Sequence, residues 1–498
     1  MSGHIRKAAL VGLIVIGLST PAFGATKLIP KPSSPCPKFQ MRMIYKGAEY
    51  SCRKSGKKLL WSSGKKLTSP SRTTSSNNGN YPTPQISALV DAGRFGIVRN
   101  ISSNGARTQP MDCSNSDGNQ GFRSQKTFFV DPSNAKHLLI AIESLGFYIS
   151  VDGGQTWRQS SAGLIGYPRI DNLAKPCHTE FADLAVDPNN PQHFILTRAG
   201  EPGLITDYFS ENAGLDETRD GGATWRQILT QPNLGVYVHD GIAISHQNSD
   251  VIYAGTTTNA RTLNGANKIY PTIGVVYKTK NGGKTWVELP TGAPANINVL
   301  NIFIDPQNDN VVTVATAGRV KNATGSTFNS GLGILKTVDG GKSWIRMDSQ
   351  QAPLNNVAFS ENSPKNAVAC CSADAHLIYS VDGGVSWLSN SGIFGPRAMD
   401  FDTTDRTGLS GLVSDNDGAI FHFLGGGATL KSAGSLATSA GLTTRITKFA
   451  FGSDGLWYAA GHYTGQRNGA PYQEGFLFKS SDQGGSWQRI LDTTKLEH

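Results

Sequence analysis

Charged residues are scarce in this sequence. They make up 17% of the 498 residues, whereas an average soluble protein has about 25%. Long surface helices and disordered chains need more charge, so both are poor descriptions of this chain. The polar content lies instead in Ser, Thr, Asn and 57 Gly, residue types typical of strands and tight turns. An all-β fold with many turns is the leading class.

Long apolar runs are absent beyond the N-terminus. Residues 1–24 have a basic start (Arg6, Lys7), a short apolar core and Ala22-Phe23-Gly24 as a small-x-small cleavage site, which is the pattern of a secretory signal peptide. No second apolar stretch is long enough for a membrane span. We therefore expect a protein without a transmembrane segment after signal removal, secreted, extracellular or cell-wall associated, with a periplasmic location as a further option.

Cysteine is also rare and has no metal-binding spacing. The six cysteines are Cys36, Cys52, Cys113, Cys177, Cys370 and Cys371, and no Cys-x-x-Cys or Cys/His cluster occurs. In an exported chain an even number favours disulfides over metal ligation. We expect Cys36 to pair with Cys52 and Cys113 with Cys177, and we leave Cys370 and Cys371 open between a vicinal disulfide and two buried thiols. Neither a metal site nor a cofactor is predicted.

Acidic residues are nearly missing from the N-terminal region. Residues 1–81 contain 14 Lys and Arg but a single acid, Glu49, whereas the remaining 417 residues contain 32 basic and 36 acidic residues. The net charge of +9 thus belongs to the N-terminus, and nucleic acid is not an expected partner. Residues 25–61 form a small basic Cys module, read either as a tether for an anionic cell-surface polymer or as a solvated stalk. Residues 62–82 are a Ser/Thr/Asn/Gly linker.

One octet, Ser/Thr-x-Asp-x-Gly-x-Thr/Ser-Trp, recurs six times and uses six of the eight tryptophans. Its pattern predicts a hairpin in which the Asp or Asn side chain caps the turn, Gly supplies a positive φ and Trp packs across the turn. These structural residues are Asp152 and Trp157, Asp220 and Trp225, Asn281 and Trp286, Asp339 and Trp344, Asp382 and Trp387, and Asp482 and Trp487.

Each octet follows two apolar strands joined by a turn such as Asp131-Pro132 or Asp187-Pro188. The octets are 43 to 68 residues apart, except for a gap of 100 residues after Asp382 that has room for one unit without an octet and holds Asp415-Asn-Asp-Gly418. Seven units of four short strands predict a seven-bladed β-propeller over residues 123–498, each blade complete in sequence. Residues 83–122 would pack on it. A β-sandwich with repeated hairpins is the structural alternative.

The octet resembles the Asp-box, or BNR repeat, of sialidases, xyloglucan-cleaving glycoside hydrolases, the sortilin luminal domain and photosystem II assembly factors. The resemblance implies the propeller fold, with the boxes on the rim away from the ligand face. No single subfamily matches. Tyr167-Pro168-Arg169-Ile170 has the letters of the sialidase arginine motif in the wrong order, and xyloglucanase-like enzymes usually pair two propellers.

Functional residues should lie on the face opposite the octets. Ligand-binding candidates occur where the chain leads into the first strand of each blade, and on long loops between strands 2 and 3 (residues 199–216, 256–274, 317–331 and 461–475). They are His178, Glu180, His239, Arg397, Asp400, Arg445, Tyr208, Tyr270 and Tyr463. The two arginines would clamp a carboxylate or phosphate, and the tyrosines would stack on sugar rings or simply pack the loops.

Two functions remain open at this point. The first is a recognition scaffold that binds a polysaccharide or a protein through the loop-decorated face. The second is a glycoside hydrolase, xyloglucanase-like or sialidase-like, which needs two carboxyl groups about 5–10 Å apart. Asp183 and Asp240 are the catalytic candidates in that case. We favour the scaffold because no catalytic constellation stands out.

Overall fold

In the computed structural model the chain divides into two compact units, Met1–Thr83 and Pro84–His498. The structure describes residues 33, 35, 42–45, 48–55, 58–62, 65–66, 97–98, 127–142, 145–167, 177–178, 180–200, 214–230, 241–255, 273–295, 297–321, 327–329, 333–347, 356–370, 376–438, 442–467 and 470–492. Among these residues no helix is long and apolar enough to cross a membrane.

The first unit contains a small antiparallel sheet. Its strands are Arg42–Tyr45 (β1), Ala48–Ser55 (β2), Lys58–Trp61 (β3) and Lys65–Lys66 (β4), and β2 pairs with the other three. Cys36 and its predicted bridge to Cys52 lie outside the described residues or side chains, as do the signal peptide and most of the predicted linker. The described part of that linker, Ser62 and β4, includes a strand paired with β2.

The second unit begins with a minor sheet and the first blade. Ile97–Val98 (β5) pairs with Ile165–Tyr167 (β10), which pairs with Cys177–His178 (β11). Blade 1 consists of Phe128–Val130 (β6), Leu138–Ile142 (β7), Gly146–Ser150 (β8) and Arg158–Gln159 (β9). Most of the predicted 83–122 segment, Cys113 included, lies outside the described residues.

Six more antiparallel sheets follow in chain order. Blade 2 is Glu180–Asp187 (β12), Asn190–Gly200 (β13), Gly214–Thr218 (β14) and Arg226–Thr230 (β15). Blade 3 is Ile242–Ile244 (β16), Ile252–Gly255 (β17), Ile273–Thr279 (β18) and Val287–Ala295 (β19). Blade 4 is Ile297–Asp305 (β20), Asn308–Lys321 (β21), Thr327–Asn329 (β22), Gly333–Thr337 (β23) and Ile345–Arg346 (β24).

The last three sheets complete the set. Blade 5 is Asn356–Phe359 (β25), Ala367–Cys370 (β26), His376–Ser380 (β27) and Leu388–Phe394 (β28). Blade 6 is Met399–Phe401 (β29), Gly411–Ser414 (β30), Ala419–Leu424 (β31) and Thr429–Ser435 (β32), with a 3₁₀ turn at Gly425–Gly427. Blade 7 is Thr443–Phe451 (β33), Trp457–Arg467 (β34), Ala470–Ser480 (β35) and Gln488–Asp492 (β36).

The sheets form a closed ring. The first strand of each blade contacts the first strand of the next, and β33 contacts β6. Apolar side chains of neighbouring blades interlock, and the seam between blades 7 and 1 joins Tyr458 and Leu477 to Leu138 and Ile140. No strand is exchanged at this seam, because each of the seven sheets uses strands from one stretch of chain. The predicted all-β, seven-bladed propeller is confirmed.

The strand order defines two sides of the propeller. The hairpins that join strands 1 and 2, and strands 3 and 4, lie on the side that we call the box side. The opposite side, where the chain leads into each first strand and where strands 2 and 3 are joined, we call the mouth. Two predicted mouth insertions are regular hairpins: β34 and β35 stay paired out to Arg467 and Ala470, and β21 pairs with β22.

Candidate functional site

The five octets with Asp close their turns in the same way, and in blade 3 Asn281 accepts the Thr285 N–H but donates its amide to the Thr285 hydroxyl. In blade 1, Asp152 Oδ1 accepts hydrogen bonds from the Ser150 hydroxyl (2.7 Å) and the Thr156 N–H (2.9 Å), while the Thr156 hydroxyl donates to Oδ2. The same pattern in blade 5, led by the Ser386 hydroxyl, lowers the pKa of Asp382 to about 2. The carboxylates are occupied within their turns, so the boxes are structural.

The box tryptophans bind the preceding blade. Trp225 lies between Phe147 of blade 1 (5.0 Å between ring centroids) and Phe194 (5.4 Å), and its indole N–H donates to the Ser160 carbonyl at 2.9 Å. Trp286 and Trp487 likewise donate to carbonyls of the blade before them. Trp286 also donates to the Gly283 carbonyl of its own turn, as predicted. The prediction was incomplete, because three of the tryptophans also bind the preceding blade.

Blade 6 closes its outer hairpin without a box. The 3₁₀ turn Gly425–Gly427 stands at the box position, between β31 and β32, and the Gly426 N–H donates to the Leu409 carbonyl at 2.7 Å. Asp415-Asn-Asp-Gly418 was the predicted occupant of this gap in the octet series. That segment instead joins β30 to β31 at the mouth, where Asp415 Oδ1 accepts the N–H groups of Asp417 and Ala419.

The predicted catalytic carboxylate Asp183 is buried on β12. Its Oδ1 accepts the N–H of Leu184 (2.9 Å), and its Oδ2 accepts the N–H of Ile242 on the first strand of blade 3 (3.3 Å). Asp183 thus connects two blades through backbone hydrogen bonds. Asp240 and His239 lie outside the described residues, and only the backbone of His178 and Glu180 is described.

Asp400, a predicted ligand-binding residue, also connects two blades through a backbone hydrogen bond. On β29, its Oδ2 accepts the Phe449 N–H of blade 7 at 2.8 Å, and its Oδ1 forms an ion pair with Lys448. Burial disfavours the ammonium of Lys448, but the charge and hydrogen bond of Asp400, with help from Asp183, raise the pKa of Lys448. The carboxylate and the lysine therefore neutralise each other near the propeller axis.

The predicted aromatic candidates do not gather at one site. Tyr463 belongs to the core: it is 9% exposed, its ring lies 4.5 Å from that of Phe476, and its hydroxyl donates to the Leu436 carbonyl. The structure shows the packing alternative, and the residue lies on a strand, not on the predicted loop. Tyr208 and Tyr270 lie outside the described residues, as does Cys371, while Cys370 is buried on β26.

The predicted arginines do come together at the mouth. Arg397 leads into β29 and Arg445 lies on β33 of the next blade. Asp400 on β29 accepts the Phe449 N–H of β33, so Arg397 and Arg445, three and four residues earlier, stand at adjacent first strands. Partial burial and the positive charge of Arg445 both lower the pKa of Arg397. Within the described part of the chain neither arginine forms a salt bridge with a carboxylate. Such a pair retains donors for an anionic ligand.

Two residues beside these arginines were missed by the sequence analysis. The Asn416 side chain accepts a hydrogen bond from Arg397 Nε. Gly395 makes this approach possible: its φ is +64°, and a Cβ there would lie 2.2 Å from the Asn416 amide nitrogen. Phe394 ends β28, is 69% exposed, and contacts the edge of His376. The sequence signal was an aromatic residue in the short connection to Arg397.

We call Phe394, Arg397, Asn416 and Arg445 the mouth patch. Phe394 and Arg397 border the same interblade connection, and Asn416 orients the guanidinium. The patch combines an exposed ring, which can stack on a sugar face, with two cationic forks that can bind a carboxylate. No group of three or more His, Cys, Asp or Glu in the described residues is arranged to hold a metal ion.

A second feature missed by the sequence analysis is a buried charge network in blade 2. His193 is 1% exposed and lies between two carboxylates, with Nδ1 2.9 Å from Asp187 Oδ2 and Nε2 3.0 Å from Glu217 Oε1. Arg219 and Arg226 also bind Glu217. Burial opposes the charge of Glu217, but these partners lower its pKa below the ordinary value. The network is on the box side, away from the mouth patch.

Comparisons with known proteins agree with the fold. The profile of the BNR/Asp-box repeat matches residues 148–159, and a search of curated proteins gave no match. Among solved structures, the GH74 enzyme of Niastella koreensis is 14% identical over 74% of this chain and 77% of its own, with a TM-score of 0.33. YCF48 bound to a D1 peptide is 16% identical over 68% and 91%, with a TM-score of 0.43.

A third similar structure, an auxiliary nutrient binding protein from Bacteroides thetaiotaomicron, is 12% identical over 63% of this chain and 69% of its own, with a TM-score of 0.34. At these identities the likeness concerns the fold alone. The chain is a seven-bladed propeller with BNR/Asp-box repeats, and its function has to be argued from its own residues.

Proposed function

We propose that this Asp-box propeller is a binding scaffold that recognises a carboxylate-bearing polysaccharide through the mouth patch. The observation that carries the proposal is the placement of Arg397 and Arg445 at adjacent first strands, with no carboxylate partner in the described residues, beside the exposed ring of Phe394. Arginine forks match carboxylates in bidentate geometry, and an aromatic face stacks on the apolar face of a sugar. A uronic acid offers both features in one residue.

The described carboxylates support binding over catalysis. A glycoside hydrolase needs one carboxyl group that carries a proton to the leaving group and a second, ionised one. Asp183 is occupied by two backbone N–H groups, and Asp400 by one backbone N–H and Lys448. These residues therefore act as connections between blades.

The test is a glycan array probed with the full chain and three variants, Arg397→Ala, Arg445→Ala and Phe394→Ala. We expect binding to acidic but not to neutral polysaccharides, and a loss of about ten- to a hundredfold for each arginine variant, since a hydrogen bond to a charged group is strong. Arg158→Ala, an exposed arginine of blade 1 on the box side, is the matched control and should bind normally. Equal binding by all variants would refute the proposal.

Two competitors separate a glycan from a protein ligand. A soluble uronic acid oligomer should displace the bound polysaccharide, and a peptide with a free C-terminal carboxylate should not. Displacement by the peptide alone would assign the patch to a protein ligand. If a polysaccharide that binds also releases reducing sugar, and Asp183→Asn abolishes that release, the protein is a glycoside hydrolase and not a binding scaffold.

The basic module and the export signal complete the proposal. Lys54 and Lys58 are exposed on the β2–β3 hairpin, and a basic surface of this kind suits an anionic cell-surface polymer. We place the mature protein outside the cytoplasm on the strength of residues 1–24. Detection of the tagged protein in the culture medium or cell-wall fraction would test this location, and retention in the cytoplasm would contradict it.

A further inference from the structure

The ring closes where blade 7 meets blade 1, and we call this contact the closing seam. The other seams join blades that follow each other in the chain, whereas here the last blade meets the first and their two described sheets exchange no strand. Apolar packing is extensive: the rings of Phe128 and Tyr458 lie 5.8 Å apart, and Trp157 and Ile490 pack against the same cluster. The closing seam therefore depends on side-chain contacts, because neither chain continuity nor a shared strand supports it.

The indole hydrogen bond between blades is missing at the closing seam. At the next seam along the chain, Trp225 donates to the carbonyl of Ser160, three residues after the box tryptophan of blade 1, and Trp286 follows the same rule one blade later. The equivalent acceptor for Trp157 is the carbonyl of Ile490 in blade 7. Trp157 Nε1 is buried but has no hydrogen-bond partner in the part of the chain that the structure describes. The closing seam thus leaves unpaired a donor that the two seams after it satisfy.

A tyrosine hydrogen bond is missing at the closing seam too. Tyr253, the second residue of β17, donates its hydroxyl to the Asp309 carbonyl of blade 4 at 2.8 Å. Tyr458 is the second residue of β34 in blade 7 and is 0% exposed. The residue of blade 1 that corresponds to Asp309, four positions after the hairpin aspartate, is Ala135. The Tyr458 hydroxyl has no hydrogen-bond partner among the described residues.

The other seams are each crossed by at least one hydrogen bond from a described side chain to a carbonyl of the neighbouring blade. These bonds include Trp225 with Ser160, Trp286 with Ile228, Tyr253 with Asp309, Asn301 with Val357, Asn366 with Gly408 and Trp487 with Ala433. Trp344 and Trp387 also have an unpaired indole N–H, but the Tyr253 and Asn301 bonds cross their seams. Within the described chain, only the closing seam combines an unpaired box tryptophan with an unpaired tyrosine.

The unpaired donors favour opening of this seam over the others. A buried polar group without a partner costs stability, and water pairs it once the surface is exposed. At the other seams, opening has to break hydrogen bonds that the closed ring already makes. We propose that the ring opens reversibly at the closing seam, as a local event that precedes global unfolding and admits water between blades 7 and 1. The first and last blades then separate while blades 2 to 6 stay folded.

Two adjacent alanines of β34 provide matched probes of this opening. Ala460 packs in the cluster of the closing seam and Ala459 in that of the seam with blade 6, and both are 0% exposed. The full chain with Ala460→Cys or Ala459→Cys is labelled with a thiol reagent under native conditions, and mass spectrometry separates the new thiol from the native cysteines. We expect Ala460→Cys to react about tenfold faster. A rate no faster than that of Ala459→Cys would overturn the proposal.

A reversible lock across the seam gives a second test. A Cβ on Gly452 would lie 3.3 Å from Cβ of Ala135, near the Cβ separation of about 3.5–4.5 Å in a disulfide. In oxidised Ala135→Cys/Gly452→Cys, we expect hydrogen exchange of β7 and β34 to be about tenfold slower than in the reduced form, and that of blade 3 to be unchanged. The parent chain with and without reductant is the control. Exchange that ignores the bridge would contradict opening at this seam.

A pair of tyrosine variants tests the physical cause. Tyr458→Phe removes the unpaired hydroxyl, so it should slow the labelling of Ala460→Cys about tenfold. Tyr253→Phe removes a hydroxyl that is bonded across the seam between blades 3 and 4, and it should leave the labelling of Ala460→Cys unchanged. Faster labelling in Tyr458→Phe would mean that this hydroxyl holds the seam closed, which is the opposite of the proposal.

Discussion

The two sides of the propeller differ in how their polar groups are satisfied. On the box side the same carboxylate, hydroxyl and backbone groups close five turns, Asn281 closes the sixth, and each box aspartate is occupied. At the mouth, Arg397 and Arg445 are close together without a carboxylate partner in the described residues. A polar group that recurs with every repeat stabilises the fold, whereas one that occurs once with spare donors is suited to a ligand.

The largest predicted effect is a loss of stability when a box tryptophan is replaced. Trp225→Ala removes a buried indole that packs on two phenylalanines and donates to the preceding blade. We expect the free energy of unfolding to fall by about 3–5 kcal/mol, measured by urea denaturation. The exposed Phe394→Ala should change it by less than about 0.5 kcal/mol. Similar losses at both positions would remove the distinction between the two sides.

A smaller loss of stability is expected when the buried charge network of blade 2 is broken. Glu217→Gln removes the charge that faces His193, Arg219 and Arg226, and we expect a loss of about 3 kcal/mol at neutral pH. Because the folded protein lowers the pKa of Glu217, its contribution is present above the ordinary glutamate pKa of about 4.3 and is lost as the pH falls below it.

The pH dependence provides the check on that network. The difference in stability between the parent and Glu217→Gln should shrink as the pH is lowered from neutrality, which denaturation at a series of pH values will show. A difference that stays constant down to acid pH would mean that the charge of Glu217 contributes nothing. Arg158→Ala, outside the network, should show no such trend.

Blade 6 allows a third test, since it replaces the box by glycines. Gly427 has φ +112°, and a Cβ there would lie 2.6 Å from Cβ of Tyr379 in blade 5. Gly427→Ala should cost about 1–3 kcal/mol of unfolding free energy. Gly425 has open space around it, with its nearest neighbour at 3.5 Å, so Gly425→Ala should cost less. An equal cost at both positions would show that φ alone, and not the contact with blade 5, sets the requirement.

The smallest expected effect on stability is at the mouth patch. Arg397→Ala and Arg445→Ala should change the free energy of unfolding by less than about 0.5 kcal/mol, and Arg445→Ala should even relieve repulsion between the two guanidinium groups. The same denaturation series will measure this. A loss of 2 kcal/mol or more, on the order of a broken buried hydrogen bond, would mean that the arginines are structural and would remove the basis of the binding proposal.

Much of the fold could be predicted because its signals are repeated. The six copies of the octet, with a gap of 100 residues after Asp382, led to the correct number of blades. The site was harder to predict, since its residues occur once. Arg397 and Arg445 were identified from their positions where the chain leads into first strands. Phe394 was missed because its one signal, an aromatic residue in a short connection, does not tell whether the ring is exposed, and Asn416 was missed because its contact with Arg397 spans 19 residues.

The errors have a common physical origin. Tyr463 was placed on a loop because the strand that carries it extends beyond the usual blade length, and only its cross-strand partner Glu474 reveals that extension. The role of the tryptophans between blades was missed because neighbouring blades are about 60 residues apart in sequence. Pairings over such distances leave no local pattern that a single sequence can show.

The sequence by itself determined the number of blades, the turn chemistry of the boxes and the two sides of each sheet, because these depend on residues within a few positions of one another. Only the tertiary structure decided which charges are neutralised. Asp183 and Asp400 accept backbone N–H groups of the next blade, whereas Arg397 and Arg445 have no carboxylate partner in the described residues. That difference depends on the closure of the ring, which brings together side chains from blades that are distant in the chain.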